Sequence, residues 1–390
     1  MDRITRVRGQ AAPIAAIAVF GLSISMSIPL LNLGLERMGA SGWMIGVTAM
    51  FAALGMVTLA PVLPRVLART GLAPLLVGAG LAMTVVFALF PAVPSYEAWT
   101  LLRLVTGLLG TVLFFAAEYW IVAAATPANR GQLVGIYTMA LSVSFALGPL
   151  IVRVTGTEGW LPFLVGSCVM LIGTLPLFWG RHEAPNPEPG PPPTIRATLG
   201  FFVSDPTLLW GVALFGLIEF GTVALLPVWA VRSGLSEDDA VLVMASFAAG
   251  SILFAPLIGW AGDRFDRRLL LLGVGIGAVV MPLVAMALAS AVWPLIGAGL
   301  LWGGTAVGLY ALPLTELGAR YSGGRLSEGN AAVILAYGIG GLVSPGLLGF
   351  AMDAIPPDGL LVVTSVAAMG YVGLATLRIL RGGRAVGDRP

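Results

Sequence analysis

The sequence is poor in charge, has one histidine and one cysteine, and contains no lysine. Only 10% of its 390 residues are charged while 58% are hydrophobic; in soluble domains about a quarter of residues are charged. A water-soluble fold of this length has too little core to hide that much apolar surface. Cys168 is the single cysteine, which excludes an intrachain disulfide and a thiolate metal cluster. His182 is the single histidine and lies in a polar stretch, so the commonest proton-transfer and metal side chain is missing from the apolar segments. Any proton carrier in those segments must be a carboxylate. No lysine-bearing phosphate loop, nucleophilic triad or metal-ligand cluster occurs. ATP-driven transport and enzymatic catalysis therefore lose their chemistry, and no cofactor is expected. All 21 basic residues are arginines, and the resulting pI near 8.9 requires no nucleic-acid partner.

What the sequence does have is long apolar runs. A helix needs about 20 largely apolar residues to cross a bilayer, and spans are expected near 11–34, 43–64, 72–93, 98–125, 132–154, 160–180, 207–231, 239–260, 269–290, 293–319, 328–352 and 359–380. Closed barrels are excluded because short segments of alternating polarity are absent. Arg3, Arg6 and Arg8 precede a first run that continues to about Gly34, too long for a signal peptide, so it reads as a retained helix. Seventeen of the 21 arginines fall on one side of these spans, three on the other, and Arg103 inside one. This asymmetry places both termini in the cytoplasm of a cell whose inner membrane holds the chain.

Residues 181–206 carry Pro185, Pro187, Pro189 and Pro191 to Pro193 and read as a stiff, extended cytoplasmic linker. On either side lie a six-helix bundle over 1–180 and a second over 207–390. Ser144, Gly148 and Pro149 in the fifth span match Gly340, Ser344 and Pro345 in the eleventh, each offset by 196 residues, and Glu118 and Glu316 are offset by 198. Parallel six-helix repeats leave such marks.

The loop after the eighth span reads Gly259-Trp260-Ala261-Gly262-Asp263-Arg264-Phe265-Asp266-Arg267-Arg268. An aspartate beside several arginines can form a charge network that is made in one conformation and broken in another. The loop resembles the G-x-x-x-D-R-x-G-R-R motif of the major facilitator superfamily, with Asp266 in place of a glycine. The equivalent first-half loop keeps Arg65, Arg69 and Gly71 but lacks the aspartate. Arg103-x-x-x-Gly107-x-x-Gly110, Arg130-Gly131 and the set Gly135, Ser144, Gly148, Pro149 extend the resemblance, the last set being similar to an antiporter motif in which Ser144 and Val152 replace glycines. The resemblance covers essentially the whole chain. It implies an all-α membrane protein of twelve transmembrane helices in two pseudo-symmetric bundles, which alternately expose a central site. Glu118-Tyr119-Trp120 and the Tyr-Ala-Leu-Pro run before Glu316 look most like small bacterial drug-efflux exporters.

Ionisable groups within spans are expensive and are functional candidates by default. Glu219 lies mid-span in Leu217-Ile218-Glu219-Phe220-Gly221, and desolvation favours the protonated form of a carboxyl, which suits it to binding and releasing a proton. The alternative is a protonated glutamate bonded to a neighbouring helix. Arg103 matches an arginine that the resemblance associates with proton coupling; the alternative is a cation that snorkels to the interface. Glu118 and Glu316 sit toward the cytoplasmic ends of their spans, where pairing with Arg65 or Arg69, and with Arg267 or Arg268, would latch a gate that also includes Asp263 and Arg264. Asn32, Tyr119, Trp120, Trp302 and Tyr310 are candidates to line a cavity, although such aromatics more often serve interface belts or helix packing. Ser23, Ser25 and Ser27 are expected to permit close helix contact. The expectation is a monomeric, proton-coupled antiporter that exports a small amphipathic organic molecule. The rival readings are a symporter taking up a metabolite and a non-transporting membrane sensor.

Overall fold

An apolar chain in lipid must satisfy its backbone hydrogen bonds within each segment, and helices do this. The computed structural model describes residues 3–59, 62–124, 130–184, 195–321 and 323–387. Among them run fourteen α-helices and no strand: α1 (Arg3–Arg37), α2 (Gly42–Leu59), α3 (Leu63–Thr70), α4 (Leu72–Ala92), α5 (Tyr96–Ala124), α6 (Arg130–Thr155), α7 (Leu161–Gly180), α8 (Ile195–Ser204), α9 (Pro206–Arg232), α10 (Glu237–Arg264), α11 (Arg267–Ala287), α12 (Val292–Arg320), α13 (Gly323–Ala354) and α14 (Gly359–Gly387). Eleven are long and apolar enough to cross a membrane, and the apolar stretch Met139–Thr155 of α6 supplies the twelfth segment.

Two sequence expectations need correction. The second span was expected to continue to 64, but α2 ends at Leu59 and a separate short α3 follows. Pro64 sits in the first turn of α3, where a missing N–H costs nothing, and Leu63 and Leu67, one turn apart, are both buried. Residues 181–206 were expected to be extended, yet Arg181–Glu183 form a 3-10 turn and Ile195–Ser204 form α8. Past the last proline the segment is apolar, and Phe201 is buried with its ring 5.3 Å from that of Tyr321. The prolines at 185–193 lie outside the described residues.

The chain divides into two compact units, Met1–Ala40 with Val47–Gly190, and Ser41–Gly46 with Pro191–Pro390. The same helix pairings recur within each: α1 packs on α5, α6 and α7, as α9 packs on α12, α13 and α14. Small residues make these pairings close. A methyl group on Gly148 of α6 would meet the Ser25 hydroxyl of α1, and that hydroxyl donates to the Ser144 carbonyl at 3.3 Å. In the second unit a methyl on Gly216 of α9 would meet the Tyr337 carbonyl, and one on Gly340 of α13 the Ala213 carbonyl. Ser144, Gly148 and Gly340 thus lie at close helix contacts. Six tryptophans, Trp43, Trp160, Trp179, Trp210, Trp260 and Trp293, are exposed near helix ends, the arrangement of an interfacial aromatic belt.

Within the second unit, Asp353 on α13 accepts hydrogen bonds from the backbone N–H groups of Gly42 at 2.8 Å and Trp43 at 2.7 Å, and from Arg232 at 3.2 Å. A carboxylate at a helix start satisfies orphan donors and complements the helix dipole. Asp353→Ala is expected to speed amide exchange over residues 41–46 about 5-fold to 30-fold, the equivalent of about 1–2 kcal/mol. Hydrogen-exchange mass spectrometry checks this, and unchanged exchange would show that the carboxylate does not hold the segment.

Candidate functional site

Glu219 is the middle residue of α9, 13 positions from Pro206 and 13 from Arg232, about 20 Å from each end at 1.5 Å per residue. Because Gly216 and Gly340 bring α9 and α13 together, residue 219 lies beside residue 337. The Tyr337 hydroxyl donates to Glu219 Oε2 at 2.6 Å. Aromatic rings from two helices, α9 and α12, flank the pair. Phe220 and Phe215 of α9 have ring centroids 5.3 and 5.7 Å from that of Tyr337, and Tyr310 of α12 lies 5.8 Å from it. Phe215 is buried, whereas Glu219, Phe220, Tyr310 and Tyr337 are each partly accessible. A mid-span carboxylate is therefore reachable, oriented by a hydroxyl donor and walled by aromatic faces. Such a site can take a proton and can hold an apolar molecule with one polar group.

In the first unit Arg103 of α5 is only 5% exposed and Asn32 of α1 is fully buried. An Arg103 Nη2 hydrogen bond to Asn32 Oδ1 joins them. Arg103 therefore does not snorkel to an interface. No described carboxylate lies within ion-pair distance, and its buried Nε has no hydrogen-bond partner among the described residues. Tyr119 is partly accessible. Trp120 and Trp302 are 0% exposed; Trp302 packs edge-on against Phe247 with centroids 5.3 Å apart. Both tryptophans occupy packed cores rather than an open wall.

A charge network lies at the arginine-rich helix ends of the second unit. Glu316 Oε2 accepts from Arg267 at 3.3 Å and Oε1 from Arg320 at 2.7 Å. Arg320 also reaches Asp205 Oδ1 at 3.0 Å, and the Tyr321 hydroxyl donates to Asp205 Oδ2 at 2.8 Å. Arg264 stacks over the Trp260 ring at 4.5 Å, and Arg268 is exposed. The side chains of Asp263 and Arg65 lie outside the described residues. Glu118 and Arg69 are exposed, and among the described residues Glu118 makes no ion pair. Sequence reasoning missed Tyr337, Phe215, Asp205, Arg320 and Tyr321. A rule that every intramembrane carboxylate needs a named partner would have directed attention to the few tyrosines in the spans.

A family model described as Major Facilitator Superfamily matches residues 14–244 and 232–385. The uncharacterized MFS-type transporter YfkF of Bacillus subtilis (strain 168) is 28% identical over 262 residues, a match spanning 66% of this chain and 66% of that protein's length. The uncharacterized MFS-type transporter YcaD of Escherichia coli (strain SE11) is 26% identical over 285 residues, covering 73% of this chain and 72% of the relative. Two solved structures share the fold. A bacterial homolog of the human lysosomal transporter Spinster has a TM-score of 0.77 at 15% identity, covering 98% of this chain and 99% of that one. The nucleoside transporter NupG has a TM-score of 0.74 at 12% identity, covering 97% and 99%.

Proposed function

The chain belongs to the Major Facilitator Superfamily, and from that premise we propose that it exports a small amphipathic organic molecule of the drug-efflux type in exchange for protons, by alternating access. It is a multi-pass secondary transporter; the direction, the coupling ion and the substrate class are the proposal. The observation that carries it is Glu219, held mid-span by Tyr337 and walled by Phe215, Phe220 and Tyr310. Aromatic faces suit the apolar body of such a molecule and the carboxylate suits its polar group. Exchange follows if protonation of Glu219 and occupancy by substrate disfavour one another, since each ligand then shifts the population toward release of the other. A difference of about 1–3 kcal/mol couples them usefully.

The network of Arg267, Glu316, Arg320 and Asp205, with Asp263, Arg264 and Arg268 beside it in sequence, is the gate in this reading, and Glu118, Arg65 and Arg69 are its first-half counterpart. One observation favours a second reading, proton-coupled uptake of a small metabolite: the buried Arg103 guanidinium, whose Nε is free of partners among the described residues, offers a cationic donor for a polar substrate.

The functional test is a pH-sensitive dye inside proteoliposomes held at a pH gradient. A transported compound is expected to dissipate the gradient on addition, and transport that leaves the gradient intact argues against exchange. The expected location is a bacterial inner membrane with both termini cytoplasmic. Reporters fused after Arg196 and at the C-terminus should accordingly report cytoplasm, and one inserted between Arg232 and Asp239 the periplasm. The opposite placement would invert the orientation.

A further inference from the structure

A cavity of about 310 Å³ opens at the arginine-rich helix ends of the second unit, between the starts of α9 and α11 and the ends of α12 and α14. Arg267, Arg268, Arg320 and Arg378 line it, and Glu316 is the single carboxylate among them. Glu316 is already engaged on both oxygens, with Arg267 on one and Arg320 on the other, so those two guanidiniums are held in place at the cavity wall. Arg268 and Arg378 make no side-chain hydrogen bond or ion pair with a described residue, although each lines the same space. Thr207 Oγ1, also in the lining, is buried with no hydrogen-bond partner among the described residues. Four cations against one spent carboxylate in the lining, with Asp205 behind Arg320 as a second, leave Arg268 and Arg378 unbalanced. Together with an orphaned hydroxyl they form a built site for an anion with several acceptor oxygens.

The remaining walls decide which anion. Leu208, Leu271, Ala375 and Ile379 complete the lining, and Leu269, Leu377 and Leu380 on the adjoining turns of α11 and α14 are exposed, at 61%, 54% and 62%. A free hydrated phosphate has no use for that apolar border, whereas a phospholipid places its phosphate among cations and its glycerol and first methylenes against leucines. Basic pockets between helices at the end of a membrane span are suited to anionic headgroups. We propose that this cavity binds the phosphodiester headgroup of an anionic phospholipid. Arg268 and Arg378 contact the phosphate oxygens and carry the net positive charge, Arg267 and Arg320 are held at the wall by Glu316 and Asp205, and Thr207 donates to the same group. The site shares Arg267, Arg268, Glu316 and Arg320 with the proposed gate but uses no residue of the Glu219 cluster, so lipid binding can be measured apart from proton coupling.

Native mass spectrometry of the full chain in neutral detergent tests it, with phosphatidylglycerol, phosphatidylcholine and inorganic phosphate as the three probes. One phosphatidylglycerol is expected to be retained in preference to phosphatidylcholine. The Arg268→Gln/Arg378→Gln double variant, which leaves every described ion pair intact, should weaken that binding about 30-fold, about 2 kcal/mol for two arginines. Thr207→Val should weaken it a few-fold, while Arg181→Gln, outside the cavity, should not. Equal retention by the parent and the double variant would overturn the site. Binding of inorganic phosphate with no preference for phosphatidylglycerol would overturn the lipid and leave a soluble anion.

Discussion

Glu219→Gln is expected to reduce proton-driven substrate accumulation at least about tenfold, to the level of passive exchange. Glutamine keeps the shape of the side chain and a carbonyl acceptor for the Tyr337 hydroxyl, which donates to Glu219 at 2.6 Å, but it cannot titrate. The apolar segments contain no histidine or lysine to take over. Binding of the compound and downhill exchange should persist within a few-fold, because the aromatic walls Phe215, Phe220 and Tyr310 are untouched, and exchange should lose most of its pH dependence. Glu316→Gln and Glu118→Gln should instead change the rate of turnover while proton dependence remains. Substrate accumulation in proteoliposomes with an imposed pH gradient distinguishes these cases; parental accumulation by Glu219→Gln would remove the carboxylate from the mechanism.

The second large effect is structural and reaches the same site. Gly340→Val places a branched side chain where even a methyl group would meet the Ala213 carbonyl of α9. Backbone cannot move aside as a flexible side chain can, so α9 and α13 must separate, at a cost of about 1–3 kcal/mol or more. Separation also pulls Tyr337 from Glu219, so transport should fall with stability. Gly338 is the control two residues away: nothing lies within 4 Å of a methyl placed there. Gly338→Ala should stabilise α13 by about 0.5–1 kcal/mol through helix propensity. Thermal unfolding of the two purified variants in detergent checks the opposite signs, and a neutral Gly340→Val would mean the helix contact is looser than the structure has it.

Length and hydropathy placed the spans closely because the lipid requirement acts on each segment by itself. The break after Leu59 and the helix α8 were not legible, since both depend on where short amphipathic pieces such as Leu63 with Leu67, and Phe201, find a surface to cover. Glu219 could be read because a carboxylate in an apolar run is conspicuous. Tyr337, 118 residues away, could not: a lone tyrosine in a span is compatible with core, belt or site, and only helix packing selects among them. Trp120 and Trp302 illustrate the converse, since helices apolar on every side give no pattern that separates a buried face from an accessible one. Asp205 lay at the edge of a supposed linker, and its bonds to Arg320 and Tyr321 join positions that no sequence spacing connects.

The central claim is that an imposed proton gradient drives uphill movement of substrate through this chain. The most direct measurement is accumulation of a transported compound by proteoliposomes of the parental protein, before and after a protonophore collapses the gradient. Accumulation above the external concentration that is lost on collapse is the predicted result; accumulation that survives collapse, or a flux that follows the substrate gradient alone at every pH difference, would contradict it.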